Sequence, residues 1–159
     1  MKKINTSDLA EESSVSPKGK FAYASKSISE ALGRDPQSTD LNARHPFDVE
    51  ILRIPPGKIP YPFHSHSAQW EFYHVISGRG MVRHRDGTEP MVAGDAFIFK
   101  PGEPHQFIND SDEDIVIYVV ADNPFGESVY MHDSQKWGVR SPEWRLMRGE
   151  PLEQYEGEE

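Results

Sequence analysis

The chain has 159 residues, and its 26 acidic and 17 basic residues give a net charge of −9. This length fits one small domain, and the acidic balance argues against nucleic acid as a partner. The sequence lacks an apolar run that could cross a membrane, and its first twenty residues lack the apolar stretch of a secretory signal, so we expect a cytoplasmic protein without a membrane partner. The absence of cysteine leaves histidine and carboxylate as the strong metal ligands.

Residues 1–44 are polar and are predicted to form an N-terminal arm. Within this arm, Phe21 and Tyr23 alternate as the side chains of a β-strand do. N-terminal strands attached to small β-barrels often add to the sheet of a partner subunit. We therefore expect a homodimer.

From Phe47 onward the apolar residues recur with the period of β-strands, and Gly, Pro, Asn and Asp separate the runs. Asp86 and Gly87 form a good hairpin loop between two runs. The last run is apolar on both faces, which predicts a central strand. Short strands at this spacing predict an all-β small barrel or sandwich. Residues 123–159 are expected to form a C-terminal extension that packs against the barrel and ends in an acidic tail. The predicted strands are 47–54, 70–77, 81–85, 91–92, 96–99 and 115–120.

Four side chains have the types and spacing of a metal site. His64 and His66 are two residues apart, which in a strand points both imidazoles to the same face. Glu71 follows after enough residues for a short turn, and His105 begins a later apolar run. Histidines with one carboxylate suit one divalent transition metal, such as iron, manganese, zinc, nickel or cobalt, and suit magnesium or calcium poorly.

These residues stand in two motifs that resemble those of the cupin superfamily. Residues 57–78 have the order glycine, HxH, glutamate and glycine, and residues 94–109 have the order glycine, PxG, histidine and asparagine. One extra residue before the HxH and Lys100 in place of the usual proline depart from the pattern, although neither is a ligand position. The resemblance covers residues 45–122 and implies a double-stranded β-helix, the cupin jelly-roll barrel. It implies a metal bound by His64, His66, Glu71 and His105.

Strand parity predicts which side chains face the metal. If Glu71 points inward, Gln69 and Tyr73 share its face and His74 points away. By the same rule Phe107 lies on the face of His105 and joins Gln69 and Tyr73 as a predicted pocket residue. Asn109 is expected to close a turn, and parity does not place Arg53 or Lys100 inside. The remaining histidines, His45, His84 and His132, are interpreted as surface residues.

Three hypotheses about function follow, because a fold alone does not define a reaction. A divalent metal could stabilise an enediolate while Glu71, Tyr73 or a bound hydroxide moves the proton, which is sugar or sugar-phosphate isomerase or epimerase chemistry. Iron in the same site could support dioxygenase chemistry. The barrel could instead bind a small molecule without turnover. The segment 128–139 resembles the tail of cupins labelled sugar-phosphate isomerase-like. A phosphorylated sugar would need Lys or Arg that faces inward, however, and strand parity does not clearly place one there. We therefore rank a metal-dependent enzyme on a small molecule first and a non-catalytic binding module second.

Overall fold

The computed structural model describes residues 1–140, 144–149, 154 and 156. A 3₁₀ turn at Thr6–Asp8 precedes the first strand, and strands dominate the rest of the described chain. No helix in these ranges has the length and apolar character to cross a membrane. The helices are α1 (Ile28–Ala31) and α2 (Leu41–Arg44), and the strands are β1 (Glu12–Val15), β2 (Ala22–Ser27), β3 (Phe47–Ile54), β4 (His64–His66), β5 (Glu71–Ser77), β6 (Arg79–His84), β7 (Gly87–Val92), β8 (Ala96–Phe99), β9 (His105–Ile108), β10 (Ile115–Asp122), β11 (Ser128–Met131), β12 (Lys136–Arg140) and β13 (Trp144–Met147).

The strands form two antiparallel sheets that face each other as a jelly-roll barrel. One sheet has the order β1-β2-β3-β10-β5-β8, and the other has the order β13-β12-β11-β4-β9-β6-β7. Sequence neighbours such as β5 and β6 lie in different sheets, so the chain crosses repeatedly between them. The predicted all-β fold and the central position of the apolar run in β10 are confirmed.

The core lies between the sheets because one side chain in two points inward along each strand. In β10, Ile115, Ile117, Val119 and Ala121 are buried while the residues between them are partly exposed. Apolar residues of β3, β5, β6, β7 and β9 complete the core. They are Leu52, Ile54, Tyr73, Val75, Val82, Met91 and Phe107.

The inner face of the six-stranded sheet changes from apolar to polar along its strands. Leu52, Ile117 and Val75 form one cross-strand row of the apolar part. Further along, Glu50 and Tyr73 flank Val119 in the next row. The last row brings carboxylates to the same end of the barrel, and it consists of Asp48, Ala121, Glu71 and Phe99.

The segments outside the barrel motifs extend both sheets. β2 pairs with β3 of the same chain, and β1 then pairs with β2, so the predicted strand near Phe21 and Tyr23 adds to the sheet of its own subunit. At the other end, β11 pairs with β4 and continues into β12 and β13. The hairpin between β6 and β7 turns at Arg85 and Asp86, one residue earlier than predicted, because Gly87 already pairs with His84. The final acidic stretch lies largely outside the described residues.

Candidate functional site

Three strands and a turn bring the predicted metal ligands together at the polar end of the barrel. His64 and His66 lie on β4 with Ser65 between them pointing away, and His105 begins β9 directly opposite His64. Glu71 begins β5 in the facing sheet. Ligand atoms of His64, His66 and Glu71 all lie within 4.8 Å of one another. These three residues could therefore hold a metal ion.

His105 stands next to this cluster. Its Nε2 lies 2.9 Å from Oε2 of Glu71 and 3.4 Å from the hydroxyl of Tyr73. The ring stacks on Phe99 with centroids 4.1 Å apart and an angle of 10° between the planes, and it is 1% exposed. These contacts fix the orientation of the His105 ring next to the Glu71 carboxylate. The role of His105 as a metal ligand stays a prediction.

All three imidazoles are oriented by contacts at Nδ1. The Nδ1 atoms of His64 and His105 lie 2.8 Å and 3.2 Å from the backbone carbonyl oxygens of Pro62 and Glu103, respectively. Donation of Nδ1–H to these acceptors leaves Nε2 with a free lone pair, which is the usual arrangement of metal-binding histidine. His66 has the corresponding contact with a carboxylate, described below.

The centre of the cluster contains two buried polar atoms that lack a well-formed hydrogen bond. Among the described residues, these are Nε2 of His66 and Oε2 of Glu71, although Oε2 is in close contact with Nε2 of His105 at 2.9 Å. Oε2 is 3.4 Å from Nε2 of His66. Buried polar atoms are rarely left unsatisfied, so two such atoms pointing at one spot fit a bound cation. Nitrogen donors with one carboxylate favour a transition metal over calcium or magnesium.

The protonation states also fit a cation. Burial and the neighbouring His105 and His66 rings lower the pKa of His64 to about 3, so this imidazole is neutral at pH 7. Burial raises the pKa of Glu71, but the adjacent His105 ring, together with His66 and His64, outweighs this effect and lowers the pKa to about 2. The cluster therefore offers an anionic carboxylate and at least one neutral imidazole at neutral pH.

A cavity of about 320 Å³ opens onto the cluster. This volume suits a small molecule. Of the three residues predicted for a substrate pocket, Gln69 and Tyr73 line this cavity, whereas Phe107 packs in the core with its ring centroid 4.7 Å from that of Tyr73 and does not line it. Burial raises the pKa of the Tyr73 phenol well above its ordinary value, so Tyr73 is a neutral hydrogen-bond donor. The lining residues are Asp48, Glu50, Tyr61, Pro62, His64, His66, Gln69, Glu71, Tyr73, Val119, Ala121, Val129 and Met131.

Glu127 was not predicted from the sequence as a site residue. Its carboxylate holds the loop between His66 and Glu71. Its Oε1 lies 3.1 Å from Nδ1 of His66 and also accepts the backbone N–H of Ser67, while Oε2 accepts the N–H groups of Ala68 and Gln69 at 2.9 Å each. Burial raises the pKa of Glu127, but the His66 contact and these backbone donors outweigh it and lower the pKa. Asp122 secures the same loop by accepting the N–H of Trp70 at 2.8 Å.

Asp48 and Glu50 were also missed. Both lie on β3, and the alternation that puts Leu52 and Ile54 in the core puts Asp48 and Glu50 on the same inward face. The signal was present in the sequence, since parity applied to β3 from Leu52 predicts both carboxylates to face the cavity.

The other candidate residues lie outside the cluster. His74 is exposed on the outer face, as predicted, and Arg53 pairs with Glu11 and Asp114 away from the cavity. His132 is half-buried, with Nε2 2.9 Å from the hydroxyl of Ser65, whereas a surface position was predicted. Asn109 is buried, and its amide donates to the carbonyls of Ile54 and Glu113, as expected for a residue that closes a turn. His45 and His84 are half-buried.

Comparison with known proteins shows which protein family the chain resembles. Residues 50–121 match the family model of the cupin domain. A sugar phosphate isomerase of the cupin superfamily from Silicibacter pomeroyi has a similar structure, with a TM-score of 0.77 and 25% identity over 96% of this chain and 98% of that one. Residues 50–121 therefore match a cupin domain, and the described chain has the fold of a cupin-superfamily structure.

Two further similarities are informative. A candidate sugar phosphate isomerase from Acidithiobacillus ferrooxidans has a TM-score of 0.78 and 24% identity, over 93% of this chain and 92% of that one, and supports the fold. The oxalate-binding protein of Thermotoga maritima is 28% identical over 69 residues, which are 43% of this chain and 56% of that protein. The matched segment thus spans little more than half of that relative.

Proposed function

We propose that the protein is a metal-dependent enzyme that transfers a proton within a small hydroxy-carbonyl compound, as sugar isomerases and epimerases do. The observation that carries this proposal is that buried ligand atoms of His66 and Glu71 converge without a well-formed hydrogen bond at a cavity of about 320 Å³. The resemblance to a cupin named sugar phosphate isomerase over almost the full length of both chains supports the reaction class.

His64, His66, Glu71 and His105 would hold the divalent metal, and the three Nδ1 contacts would keep their rings in place. A metal bound there would polarise a substrate carbonyl and stabilise the negative charge of an enediolate. Tyr73 would donate a hydrogen bond to a substrate oxygen, because its hydroxyl lies beside His105 and its phenol stays protonated. Gln69 would form part of the wall, since its amide already donates to the carbonyl of Asp122 at 2.5 Å.

The first experiment is elemental analysis of protein purified without a metal-affinity tag. We expect about one equivalent of manganese, zinc, cobalt, nickel or iron per chain. The metal should then be removed with a chelator, and isomerisation of aldoses and ketoses should be measured before removal, after removal and after restoration. Activity that disappears with the metal and returns with it supports the proposal, whereas activity that persists in metal-free protein contradicts it.

A second candidate function is reversible binding of a small molecule without turnover, and the match to an oxalate-binding protein favours it. The acidic lining of the cavity opposes a dianion, unless the metal alone compensates for Asp48, Glu50 and Glu71. Calorimetric titration of the metal-loaded protein with oxalate separates the two functions. Tight binding of oxalate together with no isomerisation of any sugar tested would replace the first proposal by the second.

A further inference from the structure

We propose that Glu50 is the residue that takes and returns the substrate proton, and that the cavity selects an uncharged hydroxy-carbonyl compound such as an unphosphorylated sugar. This inference rests on the metal-dependent function proposed above, and it names the substrate class and an additional catalytic residue. Three observations support this proposal: the position of Glu50, the groups that surround Glu50, and the charges of the cavity wall.

Glu50 faces the substrate space from β3, which is two strands away from the ligand strand β5. In the register of the six-stranded sheet, Glu50 pairs with Val119, and Val119 pairs with Tyr73. Two strand spacings separate Glu50 from Tyr73, a distance of roughly 10 Å between their backbones. A small sugar placed over Val119 would therefore meet Tyr73 and the metal ligand Glu71 on one side and Glu50 on the other.

The surroundings of Glu50 keep its carboxyl group able to gain and lose a proton. Burial raises the pKa of Glu50 to about 7, and the charges of Asp48 on β3, Glu71 on β5 and Glu30 on α1 add to this effect, while Ser25 on β2 opposes it. A general base is most effective when its pKa lies near the working pH. Tyr61 also lines the cavity near Glu50, and burial raises its pKa well above the ordinary value, so it stays neutral.

The cavity wall has no fixed cation for a phosphate group. None of the residues that line it within the described chain is Lys or Arg, whereas Asp48, Glu50 and Glu71 are acidic. Phosphate sites in proteins are normally built from Arg, Lys or helix N-termini. A phosphorylated substrate would thus meet repulsion from the wall, while an uncharged polyol can donate hydrogen bonds to the carboxylates.

Two basic side chains that do not line this wall, Arg34 and Lys58, are already bound to other groups. Nη1 of Arg34 lies 3.0 Å from Oδ2 of Asp48 and 3.4 Å from Glu30, and Arg34 does not line the cavity. Nζ of Lys58 donates to the carbonyl of Gly19 at 2.8 Å. Asp48 is held by two contacts, because Oδ2 pairs with Arg34 and Oδ1 accepts a hydrogen bond from the hydroxyl of Ser29.

The proposed step is balanced without an oxidant or a second substrate. The Glu50 carboxylate removes the proton from the carbon next to the carbonyl, the C–H electron pair forms the C=C bond of an enediolate, and the carbonyl oxygen takes the negative charge. Glu50, now protonated, returns the proton to the neighbouring carbon, and a proton moves between the two substrate oxygens. The aldose becomes a ketose, and Glu50 is a carboxylate again.

The substrate class is tested by binding and by hydrogen exchange. Sorbitol and sorbitol 6-phosphate are titrated into the protein by calorimetry, with and without its metal, and we expect sorbitol to bind at least about 10-fold more tightly. In heavy water, we expect deuterium to enter glucose, mannose or xylose at the carbon next to the carbonyl, faster than it enters glucose 6-phosphate or mannose 6-phosphate, as measured by mass spectrometry. Tighter binding or faster exchange of the phosphates overturns the substrate class and leaves the metal-dependent function intact.

The role of Glu50 is tested with Glu50→Gln, which keeps the size of the side chain, and with Glu50→Asp, which keeps the acid. We expect Glu50→Gln to lower the exchange rate at least about 100-fold with unchanged metal content and with sorbitol still bound, and Glu50→Asp to retain part of the rate. Glu12→Gln changes an exposed carboxylate of the same sheet and should have no effect. Exchange that persists in Glu50→Gln overturns the assignment. Absence of exchange for every sugar in metal-loaded wild-type protein also overturns it, and the metal content shows whether the metal centre itself survives.

Discussion

Glu127 and His66 are 61 residues apart in sequence and are joined by a contact of 3.1 Å between the carboxylate Oε1 and the ring Nδ1. The same carboxylate binds three consecutive backbone N–H groups after His66. One side chain from outside the cupin motifs therefore orients a candidate ligand and fixes the loop that leads towards Glu71.

We predict that Glu127→Ala weakens metal binding about 10- to 100-fold, because carboxylates that orient ligand histidines commonly have effects of this size. The affinity is measured by competition with a chromogenic chelator. Glu89→Ala, which removes a largely exposed carboxylate on β7, is the matched control and should bind metal as the wild type does. Equal affinity in the Glu127 and Glu89 variants would mean that this contact does not tune the metal centre.

The ligand assignment predicts a clear contrast among three histidines. His64→Ala and His105→Ala should each weaken metal binding more than about 100-fold, because they remove a nitrogen donor next to Glu71. His74→Ala should leave metal binding unchanged, since His74 lies on the outer face of the same strand as Glu71. Metal content after dialysis, measured by mass spectrometry, is the readout. Comparable losses in His74→Ala and His64→Ala would contradict the parity argument.

The sequence predicted that His64, His66 and Glu71 come together, because this grouping depends on local spacing. His64 and His66 share a face by strand period alone, and the turn before Glu71 is short. Parity along β3 already puts Glu50 on the inward face, but its position opposite Tyr73 depends on sheet order, which places β3 two strands from β5. The role of Glu127 also depends on sheet order, because β11 pairs with β4. Phe107 was assigned to the pocket by parity, yet parity gives the face of a residue and not its depth, and Phe107 lies in the core beneath Tyr73.

Glu50 predicts how stability depends on pH in the metal-free protein. The folded-state pKa of about 7 exceeds the ordinary value of 4.5, so between these values the folded protein binds more protons than the unfolded chain. Stability should therefore fall as pH rises from about 5 to 8, and the full shift corresponds to about 3 kcal/mol. Urea unfolding of wild type and Glu50→Gln at several pH values tests this prediction. The variant should lose this part of the pH dependence and be more stable than wild type at pH 8, and parallel profiles would contradict the buried, protonated state.

We propose that the outer face of the six-stranded sheet forms a homodimer interface with a second copy of the chain. Phe72, Ile76 and Ile98 are 39–57% exposed on this face, next to the partly exposed Val120 and Tyr118, and none of these is acidic. Copies that each carry a net charge of −9 would associate best through such a largely apolar patch without acidic residues.

The dimer is tested by sedimentation velocity. The wild type should sediment as a dimer of about twice the 18.1 kDa chain mass, and Phe72→Glu should sediment as a monomer, because it places a charge in an apolar contact. Val15→Glu changes an exposed apolar residue on the edge strand β1 and is the control. A wild-type monomer at micromolar concentration would contradict the interface.

Because β11 pairs with β4, metal binding and the shape of the cavity wall depend on different segments of the sequence. Residues 50–121 carry all four candidate ligands, whereas Val129 and Met131, which form part of the cavity wall, come from the strand added after this segment. Substitutions in β11 can therefore reshape the space above the metal while the ligands stay as they are. Such a division allows a lineage to change the molecule it recognises by altering a short, late stretch of the chain.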